Sequence, residues 1–298
     1  MNLDISKKSG KTVYNVVFSS ITDLYNYISN NPEVNRGVFK ELSSNKKDKE
    51  FYGEGLIKSI NYLLGGYKKD FDNFLESVEV LRDASLDYSD NRKLIKGIYG
   101  GVPLASLVAA GIPECMIRYD RRKEAKVRNV YFSLSYNCRT VTEQIKNRGL
   151  AMLYILDALE KNGDIINFKA NEISKFESEI VNIEVVLKKG GDPFLNIEKC
   201  YFPFVGKEFL RRILFRVLES LPLKEQGWQS TYGMVMNDEE IRKFLNLKKE
   251  DLLIPEPREI GIRGNNIYED TLKMLEYLNL TSEFDVEKVK KLERNKTR

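Results

Sequence analysis

The stretch Val127–Phe168, VRNVYFSLSYNCRTVTEQIKNRGLAMLYILDALEKNGDIINF, decides the fold. Its first part, centred on Val127–Leu134, is rich in β-branched and aromatic residues and predicts a strand. A long helical pattern follows, in which Thr140 and Glu143 have the spacing of a capping box and Gly163 marks the end. The residues after Gly163 predict a second strand. Strand, helix and strand make a βαβ unit, which implies parallel strands and a right-handed crossover.

Other segments extend this unit into a larger α/β fold. Lys11–Phe18 alternates as a strand does, and amphipathic helical patterns recur on both sides of the unit. We therefore expect a parallel or mixed sheet flanked by helices, for which a Rossmann-like core is one form. The expected organisation is a strand–helix segment over residues 1–47, an α/β domain over 48–280, and a charged tail over 281–298 that frays.

A late helical pattern, GKEFLRRILFRVLESLP, carries a strong apolar stripe and predicts an amphipathic helix. Arg211, Arg212 and Arg216 lie largely off that stripe. Their positions predict a solvated face, which can also extend a basic surface.

Histidine is absent from the 298 residues, and this excludes several kinds of catalysis. A Ser-His-Asp triad, a Cys-His pair and a histidine metal site all need that side chain. The three cysteines, Cys115, Cys138 and Cys200, show no C-x-x-C spacing, so a disulfide framework and a zinc knuckle are not expected. We expect these cysteines to be small buried hydrophobic residues. No catalytic residue, metal ligand set or cofactor site can be assembled from the sequence, which favours a protein that is not an enzyme.

The sequence contains no membrane or export signal. Its longest central apolar run, LAMLYILDAL, is interrupted by Asp157 and is far shorter than the roughly 18 residues of a membrane span. The first residues, MNLDISKKSGKTVYNVVF, contain no apolar signal core and no small-residue cleavage site. We expect a cytoplasmic protein that makes no contact with a membrane.

Positive charge is concentrated in the segment RYDRRKEAKVR, Arg118–Arg128, whose net charge of +4 equals that of the whole chain. Such a segment can contact the phosphates of nucleic acid or of a nucleotide, with affinity but little sequence specificity. It can equally be a solvated loop or the docking edge for a host protein. The candidate binding residues are Arg118, Arg121, Arg122, Lys123, Lys126 and Arg128.

The end of the first predicted strand, YFSLSYN, resembles a site of the von Willebrand A fold. That fold holds a divalent cation with D-x-S-x-S at the end of its first strand, before a helix. Here Ser133 and Ser135 match the two serines, and Tyr131 stands in place of the aspartate. Two hydroxyls without a carboxylate are a poor site for a hard cation. The resemblance implies an interaction module without metal, and an ordinary βαβ unit is the other interpretation.

The segment GWQSTYGM contains the only tryptophan of the chain. Trp228 and Tyr232 are candidate cleft residues, together with Ser133 and Ser135, because loop aromatics often contact ligands. The alternative is that Trp228 anchors its loop by packing into the core.

Four patterns recur in order along Phe51–Pro257: FYGEGLIKSINYLLGGY, VPLASLVAAGIPECM, the R-G-x7-D-x-L-E-x-x-G pattern of the long helix, and F-x-R-R-I-x-F-R-x-x-E. This succession resembles an uncharacterised protein family of bacteriophages and bacterial mobile elements. The resemblance implies a phage or prophage setting inside a bacterial cell and brings no activity with it.

Three hypotheses remain open at this point. The first is an accessory protein that binds nucleic acid or a host protein through the basic segment. The second is a degenerate von Willebrand A-like interaction module. The third is an enzyme that acts on phosphates or nucleic acid, which would need a carboxylate–metal constellation in the absence of histidine.

Overall fold

A seven-stranded mixed sheet with helices packed on it forms the body of the protein, which confirms the predicted α/β class. The computed structural model describes residues 1–31, 52–68, 71–83, 93–99, 102–120, 126–192, 195–223 and 234–296. The strands are β1 (Asn2–Lys8), β2 (Lys11–Phe18), β3 (Lys93–Gly97), β4 (Val102–Pro103), β5 (Met116–Asp120), β6 (Val127–Ser133), β7 (Ile165–Lys175), β8 (Glu179–Lys188), β9 (Met234–Val235) and β10 (Leu252–Ile254).

The order across the main sheet is β1-β2-β8-β7-β6-β10, and β9 pairs with β7. Strand β6 is parallel to both of its neighbours, with Val127 opposite Ile165 in β7 and Val130 opposite Leu252 in β10. Strands β7 and β8 are antiparallel, and β8 is parallel to β2. The predicted strand–helix–strand unit is therefore present at the centre of the sheet.

Helices cover both faces of the sheet unequally. The α-helices of the described residues are α1 (Ile21–Asn30), α2 (Leu56–Gly65), α3 (Phe71–Asp83), α4 (Ala105–Ala109), α5 (Thr142–Lys161), α6 (Ile197–Val205), α7 (Phe215–Glu219), α8 (Asp238–Leu245), α9 (Pro257–Ile260), α10 (Ile267–Tyr277) and α11 (Val286–Lys296). Because side chains alternate along a strand, Val130 and Phe132 enter the large core beneath α5, while Tyr131 faces a smaller cluster that includes Ile241 of α8.

The central helix α5 is buried on nearly every side, because it lies between the sheet and the neighbouring helices. Gly149 permits this packing. A Cβ atom at that position would lie 2.6 Å from the carbonyl oxygen of Phe204 in α6, closer than real Cβ contacts come. The glycine of the R-G pattern therefore sets the distance between α5 and α6.

Both ends of the described chain join the main body. Strand β2 pairs with β8, and Phe18 of β2 is fully buried in the large core. At the other end, the segment that we expected to fray forms α11, and Val289 within it is also fully buried. That expectation was wrong because a few apolar residues, Phe284 and Val289 among them, anchor the charged segment to the core.

Strands β3, β5 and β4 form a separate antiparallel sheet, in which Ile95 is opposite Arg118 and Val102 opposite Ile117. Helix α4 lies in the connection between β4 and β5, and none of its residues is buried. Within residues 96–99 and 103–117, whose side chains the structure describes, none belongs to the hydrophobic core.

Candidate functional site

The carboxyl ends of the parallel strands β6 and β10 lie side by side in the main sheet. From β6 the chain passes through α5 to β7 on one side, and it later returns to β10 on the other side. In open α/β sheets, ligands bind in the crevice outside the carboxyl ends of the strands. The loops after β6 and β10 meet at this edge, because α5 and α10, which follow these strands, pack together on the same face of the sheet. The loop after β6 begins at Leu134, and the loop after β10 begins at Pro255.

Arg148 of α5 fastens the two strand ends together from inside the protein. Its Nη1 atom donates to the carbonyl oxygen of Ser133 at 3.0 Å and to that of Pro255 at 2.7 Å. The guanidinium also lies 4.3 Å from the ring centre of Phe132, a cation–π contact. The residue is only 1% exposed. Burial lowers the pKa of Arg148 to about 10, so the side chain keeps its positive charge at neutral pH.

The two loops are also joined at the surface. The backbone N–H of Asn137, in the loop after β6, donates to a carboxylate oxygen of Glu256 at 2.8 Å. Asn137, Cys138 and Arg139 are exposed, as is Arg258 beyond the second loop. The crevice thus has a fixed base and an exposed rim.

The two serines predicted for this crevice lie at the end of β6 and are buried. The Ser133 hydroxyl lies 3.5 Å from the carbonyl oxygen of Ser135. The Ser135 hydroxyl donates to the carbonyl oxygen of Ile173 at 3.3 Å and accepts from the N–H of Ile173 at 3.0 Å. The Ser135 hydroxyl therefore joins the loop after β6 to β7, whereas the Ser133 hydroxyl contacts only its own segment. Tyr131 points to the opposite face, towards the smaller cluster.

A layer of buried charge lies next to the crevice, on a six-residue π-helix, Phe209–Leu214, that runs directly into α7. Helices of this type are rare and often occur at functional sites. The guanidinium of Arg211 stacks 5.2 Å from the ring centre of Tyr136, and that of Arg212 donates to the carbonyl oxygen of Glu54 at 3.0 Å. Glu208, just before the π-helix, accepts from the N–H of Glu54 at 3.2 Å.

The predicted solvated face of Arg211, Arg212 and Arg216 was therefore wrong, because all three arginines are buried. Tyr136, which follows β6, lies among these charges, and its hydroxyl donates to the carbonyl oxygen of Lys207. Burial raises the pKa of Tyr136 to about 12, although the positive charges of Arg211 and Arg148 oppose the rise.

The structure separates the residues of the basic segment. Lys126 and Arg128 bind carboxylates at the opposite end of β6 from the crevice. The Lys126 ammonium is 3.1 Å from Glu283, and the Arg128 guanidinium is 2.6 Å from both Asp164 and Glu283. Arg118 lies in β5 of the small sheet. Arg121, Arg122 and Lys123 lie outside the described residues, as do the cleft candidates Trp228 and Tyr232.

The cysteines and carboxylates of the described chain form no evident reactive cluster. Cys200 is buried as expected, but Cys115 is half-buried and Cys138 is exposed, so the expectation that all three are buried was wrong. The described residues contain no group of three or more His, Cys, Asp or Glu side chains that could hold a metal ion.

A cavity of about 520 Å³ lies beside the first turns of α5, the helix that follows the loop after β6. Helix α3 and the loop before α10 form its other walls. Sequence reasoning missed this cavity and also missed Arg148, Glu208 and Glu256. Arg148 does belong to the R-G pattern, but its burial depends on strand ends that are distant in sequence.

The fold and the crevice define a mixed-sheet α/β protein with a candidate binding edge at the ends of β6 and β10. Residues 5–282 match a family described as a domain of unknown function, DUF7192, and the chain belongs to that family. No curated protein and no solved structure matches the chain. Among the described residues, no helix is both long enough and apolar enough to cross a membrane.

Proposed function

We propose that this chain is a non-catalytic binding protein that takes a partner protein at the carboxyl edge of β6 and β10, without a metal ion. The observation that carries the proposal is the position of Arg148, whose buried guanidinium bridges the ends of both strands. A positive charge is therefore already fixed beneath the crevice. It gives the exposed loops a rigid base, and it opposes the binding of a further cation there.

The strand order supports the kinship with a von Willebrand A-like interaction module. Counted along the chain from β6 and without the two-residue β9, the strands β6, β7, β8 and β10 lie in the spatial order 3-2-1-4. This order occurs in open α/β sheets, and here the third strand is antiparallel to the second. The serines of the D-x-S-x-S pattern lie at the end of the first of these strands, and the missing carboxylate explains why the module would work without metal.

The biological setting is part of the same proposal. The four ordered patterns between Phe51 and Pro257 resemble those of a protein family found in bacteriophages and bacterial mobile elements. We infer that the protein is an accessory protein of a phage or prophage and acts in the bacterial cytoplasm.

The test uses Cys138, an exposed thiol on the rim of the crevice. In a Cys115→Ser variant, Cys138 is labelled with a maleimide–benzophenone and irradiated in bacterial lysate. The matched control places the label at the opposite end of β6, in a Cys115→Ser/Cys138→Ser/Val127→Cys variant, because Val127 is 61% exposed.

We expect a discrete crosslinked protein from the crevice label. It should be absent from the control, competed by unlabelled protein, and reduced by Arg139→Glu in the labelled chain. Identical products from both ends of β6 would contradict edge-specific binding. A rise in melting temperature with millimolar Mg²⁺, Ca²⁺ or Mn²⁺ would contradict the metal-free site.

A second candidate function, nucleic-acid binding through the basic segment, is favoured by its concentration of charge. Since Lys126 and Arg128 bind carboxylates, the candidates for phosphate contact reduce to Arg118, Arg121, Arg122 and Lys123. We expect Arg121→Ala/Arg122→Ala/Lys123→Ala to lower the salt-dependence slope of duplex DNA affinity by about three, one per lost phosphate contact. Lys126→Ala, the matched control, should change it little. Equal slopes for the parent and the triple variant would reject this function.

A further inference from the structure

The cavity beside α5 lies between helix α3, the first turns of α5, and the loop that leads into α10. Its volume of about 520 Å³ is within the usual range for ligand sites in proteins, roughly 300–1,000 Å³. Its lining is unusually rich in side-chain amides for so small a space. The lining residues are Asn73, Phe74, Ser77, Glu143, Lys146, Asn147, Leu150, Gly264, Asn265, Asn266 and Ile267.

A fully buried carboxylate holds the wall of this cavity in place. Asp270 of α10 accepts from the backbone N–H groups of Arg263 and Gly264, each at 2.9 Å. It also accepts from the side-chain amide of Asn147 at 2.9 Å. The loop and α5 are thus tied to one residue that is 0% exposed. Charge-assisted hydrogen bonds of this kind are among the stronger ones in proteins.

Gly264 brings the same loop against the backbone of α5. Its φ of +81° suits glycine, and a Cβ atom there would lie 2.8 Å from the backbone nitrogen of Gln144. The loop can therefore neither move closer nor accept a side chain at this point. The walls formed by α5 and the loop before α10 are therefore preformed, which lowers the entropy lost when a ligand binds.

Much of the hydrogen-bonding capacity of the lining is unused. Within the described parts of the chain, the side chains of Asn73 and Asn265 make no hydrogen bond, and both residues are exposed. The Asn147 side chain is only 9% exposed, and its Nδ2 atom is held by Asp270. This leaves its carbonyl oxygen as an acceptor at the cavity wall.

The chemistry of the lining selects a class of ligand. A side-chain amide offers a donor and an acceptor together, as does each peptide unit of a main chain. Phe74, the aromatic residue of the lining, is 1% exposed and offers no ring face on which a nucleobase or sugar could stack. The charges of Glu143 and Lys146 are opposite, so the lining attracts neither anions nor cations as a whole.

We propose that this cavity binds a short extended peptide segment of the partner protein by hydrogen bonds to its main chain. The inference rests on the proposed function, since the first turns of α5, which follow the loop after β6, form one wall of the cavity. Recognition of the main chain makes the cavity tolerant of side-chain sequence. The exposed loops at the crevice would then supply the contacts that distinguish one partner from another.

The test is NMR of the full ¹⁵N-labelled, deuterated chain, with the side-chain amide signals as reporters. The probe is acetyl-Ala₄-amide at millimolar concentration, and the control probe is its N-methylated analogue, which lacks the main-chain donors. We expect the peptide to shift the signals of Asn73, Asn147 and Asn265, and the analogue to shift them far less. Asn73→Ala and Asn265→Ala should each weaken binding about fivefold, the equivalent of one hydrogen bond.

The matched control variant is Asn61→Ala, which removes an exposed helical asparagine of α2 away from the cavity and should leave peptide affinity unchanged. Equal shifts from both peptides, or shifts caused by adenosine or glucose but not by the peptide, would overturn the inference. A specific Cys138 crosslink with unmoved amide signals would overturn the peptide cavity and keep the proposed function. Peptide-dependent shifts without that crosslink would keep the peptide cavity and overturn the proposed function.

Discussion

Glu172 of β7 is a buried carboxylic acid whose two oxygens have different surroundings. One accepts a hydrogen bond from the hydroxyl of Ser174, and the other has no partner among the described residues. The residue is 2% exposed. Burial raises the pKa of Glu172 to about 7, and the hydrogen bond from Ser174 only partly opposes this rise.

This pKa makes the stability of the fold depend on pH. The folded protein keeps the Glu172 proton up to about pH 7, whereas the unfolded chain releases it near pH 4.5. The folded state therefore binds more protons in that window, and the free energy of unfolding falls as pH rises through it, by roughly 3 kcal/mol in total. We expect Glu172→Gln, which is neutral at every pH, to be more stable than the parent at pH 8 and similar to it at pH 4.5.

Urea unfolding at the two pH values measures this difference. Glu79→Gln, at an exposed position of α3, is the matched control and should leave the stability difference between the two pH values as it is in the parent. Glu172 is not the source of the pH-dependent stability if Glu172→Gln keeps the pH dependence of the parent.

Arg148 gives a second prediction at the level of one side chain. Replacing it with methionine keeps much of the apolar stem but leaves the carbonyl oxygens of Ser133 and Pro255 without their donor. Each buried acceptor that loses its partner costs about 1–3 kcal/mol. We expect Arg148→Met to lower the free energy of unfolding by about 2–4 kcal/mol. Proteolysis should also cut first in the two loops at the crevice, and cleavage elsewhere at equal rates would contradict its fastening role.

Among the elements, local patterns predicted those whose partners are close in the chain. β6, α5 and β7 were recognised because alternation, an apolar stripe and Gly163 all occur within about forty residues of sequence. β1 was missed because only Leu3 and Ile5 alternate with polar residues in it, and this pattern is too short to mark a strand. Ser9 and Gly10, both with positive φ, turn β1 into a hairpin with β2, and the Ser-Gly pair was the available signal.

The π-helix shows why the candidate site was harder to predict than the fold. The 3.6-residue period of an α-helix predicted that Arg211 and Arg212 face solvent. They are buried because this segment is a π-helix and because residues distant in the chain pack against them. Tyr136 and Glu54 lie about 75 and 160 residues away in the chain. No local pattern could name those partners. The same holds for Arg148, whose carbonyl partners belong to two separate strands.

The contact between α5 and α6 can be tested through its glycine. Alanine normally favours a helix over glycine by up to about 1 kcal/mol. At Gly149, however, the added methyl would meet the backbone of Phe204, so we expect Gly149→Ala to destabilise the protein by about 1–3 kcal/mol. Gly65→Ala, in α2 with nothing within 4 Å of the new methyl, is the control and should be neutral or stabilising. Thermal unfolding of both variants decides the point, and equal melting temperatures would contradict the close approach.

For the whole molecule, the order of strands follows from pairings between distant segments. β10 joins β6 across more than a hundred residues, and β2 joins β8 across a longer interval still. A sequence pattern can place a strand, but it cannot choose the neighbour, since every apolar strand offers the same backbone groups. The sheet order had to come from the structure, and with it the crevice between β6 and β10.

Residues 281–296 pack at the end of the main sheet where β6 begins, opposite the crevice. Glu283 binds both Lys126 and Arg128 there, and Phe284 makes an edge contact with Tyr154 of α5. The segment expected to fray thus neutralises part of the basic segment and covers the central helix. This segment contributes to the stability of the whole protein, because it connects α11 to β6, the strand at the centre of the fold.

Glu283→Ala should therefore act on the stability of the whole protein. Arg128 is 8% exposed and would keep only Asp164 as a partner, and a lost hydrogen bond between charged groups costs about 1.5–3 kcal/mol. Glu287→Ala, which removes an exposed ion pair with Lys290 in the adjacent helix, should cost at most about 0.5 kcal/mol. Urea unfolding at low and at high salt separates the two cases, because screening weakens an exposed pair more than a buried one. A loss for Glu283→Ala no greater than that for Glu287→Ala would show that α11 is held by its apolar residues alone.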